Sequence, residues 1–114
     1  MDPVEFITLG KKIQNDTNYN PEARTRCFIS RIYYGILHYF IVEFQIKNIN
    51  DKLYHKDAIA KINLKDSTIG SLIVKIQGFR TKADYFLNRI INSNDLYIFK
   101  QTCKQIMLPY GIDI

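Results

Sequence analysis

Five residues at helical spacing form a polar stripe that could do chemistry within an otherwise apolar stretch. Arg24, Arg31, His38 and Gln45 follow one another at intervals of seven residues, and Gly35 falls on the same line. Two turns of an α-helix take about 7.2 residues, so the stripe drifts by only ~20° at each step. A cation, a side-chain gap and an imidazole on one side of a helix make this stripe the best candidate site in the sequence.

The chemistry that Arg31 and His38 could perform is the binding and cleavage of a phosphodiester without a metal ion. Arginine holds a phosphate through a bidentate, charge-assisted contact. Histidine, whose pKa lies near neutrality, can move a proton at a ribose 2′-hydroxyl or at a leaving oxygen. The alternative is structural: Arg31 would pair with a carboxylate such as Asp84, and His38 would satisfy a buried carbonyl group. The sequence leaves both interpretations open.

The composition favours a polyanionic partner and offers few other kinds of site. The 114 residues carry a net charge of +5, which favours nucleic acid as a partner or simply provides a basic surface that aids solubility. No glycine-rich loop follows a strand, and no paired carboxylates, GxSxG or HExxH motif occurs. With two histidines, two cysteines and no CxxC pair, we expect no metal site and no cofactor.

The cysteines and the apolar runs predict a soluble cytoplasmic protein. Cys27 and Cys103 fall in predicted helices, where free thiols that pack in a core suit a reducing compartment. The amino-terminal residues lack the basic segment and apolar run of a signal peptide. The longest apolar run, residues 32–42, contains His38 and is shorter than the ~18 residues that a membrane span needs. We therefore expect no membrane partner.

The segment that must position the stripe is the apolar helix predicted over residues 24–45. Its apolar side chains cover most of the circumference, which is typical of a helix in the middle of a domain. They are Phe28, Ile29, Ile32, Tyr33, Ile36, Leu37, Phe40, Ile41 and Phe44. We expect this segment to be the most buried in the protein. Tyr34 flanks the stripe, where its hydroxyl could orient His38 or contact phosphate.

Helix start and stop signals place four further helices around the central one. Asp or Asn followed by Pro opens the first and central helices, Asp66 or Ser67 caps the fourth, and Ser93 caps the last, which Pro109 and Gly111 stop. The five helices are predicted over about residues 3–14, 21–47, 54–63, 67–90 and 94–108. No stretch alternates with the period of a strand. The sequence therefore predicts one all-α domain over residues 1–114, an up-and-down bundle of about five helices.

Two segments carry a resemblance to a known superfamily. The string SRIYYGILH, residues 30–38, resembles the SRxYYxxxH helix of one branch of the HEPN superfamily, and GFRTKADY, residues 78–85, is similar to the LRxxADY segment that follows it there. The intervening loop and short helix, which carries His55, also match that pattern. His55 itself is predicted to lie in a solvated loop or at a helix start. The resemblance covers residues 1–108.

The resemblance implies a small helical bundle, commonly dimeric, that acts on RNA. One implied function is metal-independent RNA cleavage in toxin–antitoxin, CRISPR-linked or other defence systems. The other is a non-catalytic module that partners a separately encoded minimal nucleotidyltransferase. Arg31 and His38 would form the catalytic pair, and the supporting or RNA-binding residues would be Arg24, Tyr34, Arg80, Lys82 and Asp84. We therefore expect a homodimer, with RNA or a nucleotidyltransferase antitoxin as partner.

Asp84 lies where the nucleases of the superfamily carry a histidine, and no histidine follows Arg80. A carboxylate at that position would repel a phosphate, but it can hold an arginine in place. The sequence predicts that Asp84 forms an ion pair, either with Arg80 on its own helix or with Arg31 across the bundle.

Overall fold

The long apolar helix predicted from the sequence is the central element of the computed structural model, which describes residues 2–114; Met1, the first residue of the predicted domain, lies outside the described residues. This helix, α2, spans Pro21–Glu43 and contains nine buried residues, more than any other helix. The remaining helices are α1 (Pro3–Gln14), α3 (Tyr54–Lys65), α4 (Ser67–Tyr85) and α5 (Ser93–Met107), with short 3₁₀ turns at Asp51–Leu53 and Leu108–Tyr110. No strand occurs among the described residues, so the predicted all-α bundle of five helices is confirmed.

The helices pack around a single apolar core, and their side-chain contacts give their directions. Helix α1 runs antiparallel to α2, α4 runs antiparallel to α2, and α5 runs antiparallel to α4. The contacts that establish this are Phe6 with His38, Arg24 with Gln14, Arg26 with Ala83, Tyr34 with Arg80, Lys82 with Asp95 and Phe79 with Phe99. The largest fully buried side chains include Tyr33, Phe28, Phe40 and Phe99, of which three belong to α2.

The polar stripe of α2 is the line along which α1 packs. In order, the contacts are Arg24 with Gln14, Arg31 with Gly10, Gly35 with Ile7, and His38 with Phe6. A Cβ atom added to Gly35 would lie 2.6 Å from Cγ1 of Ile7 and 3.0 Å from the carbonyl oxygen of Pro3. The gap in the stripe is therefore filled by α1.

Helix α2 ends at Glu43, four residues before its predicted end, because the backbone turns into the left-handed region. Gln45 has φ of 53°. The amides of Gln45 and Ile46 donate to the carbonyl oxygens of Val42 and Ile41 at 3.1 and 2.9 Å. This pair of hydrogen bonds is a Schellman motif, which satisfies the last carbonyl groups of a helix. Its left-handed position is usually glycine, so the sequence carried no stop signal here.

Helix α4 ends at Tyr85, five residues before its predicted end, because Arg26 of α2 caps it. Arg26 is only 8% exposed. Its guanidinium donates to backbone carbonyl oxygens in the last turn of α4 and the following loop, those of Lys82, Ala83, Phe86, Leu87 and Arg89. A helix end leaves such carbonyls without amide partners. Phe86, Leu87 and Ile90, which the predicted helix over residues 67–90 included, therefore lie outside α4, and all three are exposed.

Three smaller predictions have mixed outcomes. Asp66 caps α4, as expected, and its carboxylate accepts from the amide of Ile69 at 3.0 Å. The cap of α5 is Asn92 rather than Ser93, because Asn92 forms a reciprocal capping box with Asp95. Of the two thiols, Cys103 is buried as predicted and Cys27 is exposed.

Within residues 2–114, no helix has the length and hydropathy needed to cross a membrane.

The close approach of α1 to α2 predicts opposite effects for two glycine-to-alanine substitutions. Gly35→Ala should lower the free energy of unfolding by about 1–3 kcal/mol, because the new methyl group displaces Ile7 and the backbone of α1. Gly78→Ala, in α4, meets no atom within 4 Å and should raise that free energy by roughly 0.5–1 kcal/mol through helix propensity. Urea denaturation of both variants and the wild type measures these changes in the free energy of unfolding. Equal effects of the two substitutions would contradict the packing described here.

Candidate functional site

A cluster of polar and aromatic side chains lies where α2, the first turn of α3 and the end of α4 meet. We call it the Arg80 cluster; its members are Ser30, Tyr33, Tyr34, His38, His55, Arg80, Asp84 and Tyr85. Arg80 is 8% exposed, and one terminal nitrogen donates to the hydroxyls of Tyr34 and Tyr85 at 2.9 and 3.3 Å. Its Nε lies 2.9 Å from Oδ2 of Asp84. That oxygen is off the N–H axis, so the contact is an ion pair and leaves Nε–H without an aligned acceptor.

Aromatic rings surround the same guanidinium group and keep it charged. The Arg80 carbon Cζ lies 5.7, 5.2 and 5.1 Å from the ring centroids of Tyr33, Tyr34 and Tyr85, within the range of cation–π attraction. Burial lowers the pKa of Arg80, but Tyr34, Tyr85 and Asp84 raise that pKa by more than burial lowers it. Arg80 is therefore a permanent positive charge inside the cluster.

Two histidines pack against Tyr34. His38 stacks on the Tyr34 ring, with centroids 6.1 Å apart and planes 10° apart. His55, from the first turn of α3, contacts the same ring in an edge arrangement at 5.6 Å. Nδ1 of His55 is 3.0 Å from the hydroxyl oxygen of Tyr33. Both imidazoles are only partly buried, so α2 and α3 hold two titratable groups against the same tyrosine ring.

The surroundings of both histidines favour the neutral imidazole. Burial lowers the pKa of His38. Burial, followed by the positive charge of Arg80 and the proximity of His38, lowers the pKa of His55. Burial also raises the pKa of the Tyr33 hydroxyl, which keeps its proton and can donate it to Nδ1 of His55. In that arrangement the proton of His55 is carried on Nε2.

The structure brings four of the predicted site residues together in this cluster: Tyr34, His38, Arg80 and Asp84. Arg31 is not among them. It is exposed and lies two helical turns from His38, about 10 Å along the axis, with Gly35 and α1 between. The two side chains do not contact each other within residues 2–114, and their role as a catalytic pair stays a prediction. Neither structural alternative holds: Arg31 forms no ion pair within residues 2–114, and His38 contacts aromatic rings.

The ion pair of Asp84 and the contacts of two further predicted residues outside the cluster, Lys82 and Arg24, are as follows. Asp84 pairs with Arg80 of its own helix and accepts a hydrogen bond from Ser30 of α2 at 3.2 Å, which decides between the two ion pairs that the sequence left open. Lys82 pairs with Asp95 of α5 at 3.2 Å. Arg24 contacts the backbone of α1 through the carbonyl oxygen of Gln14, at 3.4 Å.

Sequence reasoning missed Ser30, Tyr33, His55 and Tyr85 as members of the cluster. Ser30, Tyr33 and Tyr85 all fall inside the two strings that carry the resemblance, but Tyr33 was assigned to packing, and Ser30 and Tyr85 were given no role. His55 does lie at a helix start, but it is half-buried against Tyr33 rather than solvated. Its position in space depends on how the 3₁₀ turn before α3 places that helix against α2.

The cluster can bind an anion beside a fixed cation and exchange protons near neutral pH. The second terminal nitrogen of Arg80 makes no hydrogen bond to any described residue. Neutral imidazoles accept protons, and imidazolium groups donate them, so two adjacent histidines can serve as base and acid. No group of three His, Cys, Asp or Glu side chains that could hold a metal ion occurs in residues 2–114.

No protein-family model, curated protein or solved structure matches this chain. The chemistry of the site thus rests on its own geometry and on the two sequence strings.

The Asp84 contacts predict the result of a double-mutant cycle. Asp84→Asn should lower the free energy of unfolding by roughly 1–3 kcal/mol, because it removes the charged partner of the buried Arg80 guanidinium. Arg31→Gln should change it by less than about 0.5 kcal/mol. The double variant should lose the sum of the two within roughly 0.5 kcal/mol. A coupling well above that value would place Arg31, and not Arg80, opposite Asp84.

The lowered histidine pKa values predict a loss of stability in mild acid. The unfolded chain, whose histidines titrate near 6.5, binds more protons than the folded protein around and below that pH. Stability should therefore be highest above pH 6.5 and fall as the pH drops toward the folded-state pKa values. Thermal melts at several pH values measure the slope of stability against pH.

A matched variant isolates the contribution of the two imidazoles. His38→Gln combined with His55→Gln should flatten the slope near pH 6.5. The carboxylates with lowered pKa values, Asp57 and Asp113, titrate below 3.8 and leave this window unchanged. A slope that persists unchanged in the double variant would assign the pH dependence to other groups.

Proposed function

We propose that this protein binds RNA and cleaves it without a metal ion, with His38 and His55 as the proton-transfer pair. The observation that supports the proposal most is the placement of two neutral, partly exposed imidazoles against one tyrosine ring, beside the charged Arg80. The net charge of +5 favours a polyanionic substrate. The HEPN resemblance implies the same class of activity, in a defence or toxin–antitoxin setting.

The proposed reaction is an internal transfer at the RNA backbone. One neutral imidazole removes the proton of a ribose 2′-hydroxyl, and the 2′-oxygen attacks the adjacent phosphorus. The bond between phosphorus and the 5′-oxygen breaks, and the second histidine, as imidazolium, gives its proton to that oxygen. The products are a 2′,3′-cyclic phosphate and a 5′-hydroxyl end.

Arg80 would contribute to the charge state of His55 in the free and bound protein. Without RNA, burial and then the positive charge of Arg80 lower the pKa of His55. A bound phosphate brings negative charge close to the imidazoles and favours their charged form, so binding itself would supply the imidazolium acid. In this proposal Arg80 has the cationic role that the sequence suggested for Arg31.

The proposal predicts cleavage in the presence of EDTA and its loss in two histidine variants. With a single-stranded RNA of about 12 nucleotides, the wild type should produce 2′,3′-cyclic phosphate ends. His38→Ala and His55→Ala should each slow the reaction by at least ~100-fold. Lys75→Ala, which removes an exposed cation of α4, serves as the matched control and should keep full activity. Circular dichroism would verify that each variant remains helical.

The outcomes separate the proposed functions. Full activity in either histidine variant would remove that residue from the mechanism. RNA binding without any cleavage by the wild type would contradict the enzymatic proposal and favour the non-catalytic module that partners a nucleotidyltransferase. Absence of RNA binding would contradict both the nuclease and the RNA-binding reading. The homodimer implied by the resemblance stays a prediction, which sedimentation at tens of micromolar, as a rough working range, would test.

A further inference from the structure

The turn that follows α4 presents an apolar surface that neither the core nor the Arg80 cluster uses. We call residues 86–90 the apolar turn. Leu87 and Ile90 are 69% and 80% exposed, and Phe86 is 39% exposed. These three are a quarter of the twelve large exposed apolar side chains in residues 2–114, gathered in five consecutive residues. Scattered apolar residues are ordinary on a protein surface, but a contiguous patch indicates an interaction site.

Hydrogen bonds from the buried Arg26 side chain fix the backbone of the apolar turn. The Arg26 guanidinium donates to five backbone carbonyl oxygens in and before the turn, and two of these contacts, to Lys82 and Ala83, are 3.0 Å long. Arg26 is also held by an ion pair with Glu22 at 3.1 Å. A surface fixed before binding loses less conformational entropy when a partner arrives. The chain thus uses a buried cation to present exposed aliphatic side chains.

Two grooves flank the apolar turn along α2. One, of about 290 Å³, includes Cys27, Arg31 and Leu87 in its lining. The other, of about 300 Å³, includes Thr25 and Ile90. Leu87 and Ile90 therefore each form one wall of a groove, and side chains of a partner could lie on both sides of the turn.

The charged side chains around the apolar turn that form no ion pair within residues 2–114 are positive. Arg31 and Arg89 are exposed and form no ion pair within residues 2–114. The Arg89 guanidinium lies 4.4 Å from the centroid of the Phe86 ring. The nearby carboxylates, Glu22 and Asp84, are already paired with Arg26 and Arg80. The free charge at this surface is therefore positive.

This combination selects among the possible occupants. A second copy of the chain, related by a two-fold axis, would bring the same two unpaired arginines to the interface and no unpaired carboxylate. RNA would use the arginines, but leucine and isoleucine offer bases neither stacking nor hydrogen bonds. A partner with both carboxylates and apolar side chains satisfies the whole surface.

We propose that the apolar turn is the docking surface for an acidic, amphipathic helix of another protein. The apolar side chains of that helix lie in the two grooves beside Leu87 and Ile90, and its carboxylates face Arg31 and Arg89. Helices that dock through a regular apolar face are a common mode of protein recognition.

Three synthetic peptides test the proposal. Each has about 20 residues, which gives a helix of ~30 Å. One combines glutamates with a leucine face, the second has the same leucines with lysines, and the third has the glutamates with serines in place of the leucines. Fluorescence anisotropy with the 114-residue chain should show binding of the first peptide at least about tenfold tighter than of the other two. The affinity of the first peptide should decrease when the salt concentration is raised from about 50 to 200 mM.

Variants of the protein locate the binding. Leu87→Ser combined with Ile90→Ser should weaken binding of the acidic leucine peptide by about tenfold or more, and Arg31→Gln should weaken it and reduce its salt dependence. Leu64→Ser removes a leucine that is 86% exposed on α3 and should leave binding unchanged. Equal binding to all variants, or no binding of any of the three peptides, would overturn the proposal.

Two further measurements test the rejected occupants. Sedimentation that shows a dimer in the wild type and a monomer in the Leu87→Ser, Ile90→Ser variant would assign the apolar turn to a second copy. Loss of binding to a 12-nucleotide RNA, a length of about one single-strand site, in that same variant would assign it to nucleic acid. Either result would overturn the proposal. Unchanged RNA binding with lost peptide binding supports it and leaves the proposed nuclease site to its own test.

Discussion

The structure depends on the burial of two guanidinium groups. Burying a charge is costly unless the group is paired and hydrogen-bonded. Arg26 and Arg80 are the only charged residues among the buried side chains of residues 2–114, and each is 8% exposed. Each is held by a carboxylate on its own helix, one turn away. Their other partners differ, and the difference gives the two arginines different roles.

Arg26 directs its guanidinium at backbone carbonyl oxygens and so controls the path of the chain. It ends α4, fixes the turn and leaves Leu87 and Ile90 outside the core. Arg80 directs its guanidinium at the hydroxyls of Tyr34 and Tyr85 and so controls the electrostatics of a cluster that contains two imidazoles. One arginine acts on the fold and the other on a site, although a sequence gives no sign of which is which.

The helices and the core could be predicted from the sequence because they follow from periodicity and caps. The wide apolar face of residues 24–45 predicted the central helix, and the Asp-Pro and Asn-Pro pairs predicted two helix starts. Both helix ends that were misplaced depend on interactions that leave no local signal. Gln45 adopts a left-handed conformation that glycine usually fills, and the cap of α4 comes from Arg26, 56 to 63 residues away in the chain.

Half of the candidate site could be predicted from two strings in the sequence. The strings at residues 30–38 and 78–85 contain Tyr34, His38, Arg80 and Asp84, which do meet in space. The spacing of Arg31 and His38 has a second explanation, because a seven-residue stripe on a central helix is also the line along which a neighbouring helix packs. Here that neighbour is α1, which fits against Gly35. His55 could not be placed by spacing, because its partner Tyr33 is 22 residues away and on another helix.

The central claim is that the Arg80 cluster holds two neutral imidazoles ready to exchange protons with an RNA phosphate. An NMR titration of the His38 and His55 ring protons, with and without a non-cleavable 2′-deoxy analogue of the RNA, tests this directly. The account predicts that both pKa values lie below 6.5 in the free protein and that at least one rises when the analogue binds. Values at or above 6.5 for both histidines, unchanged by the analogue, would contradict it.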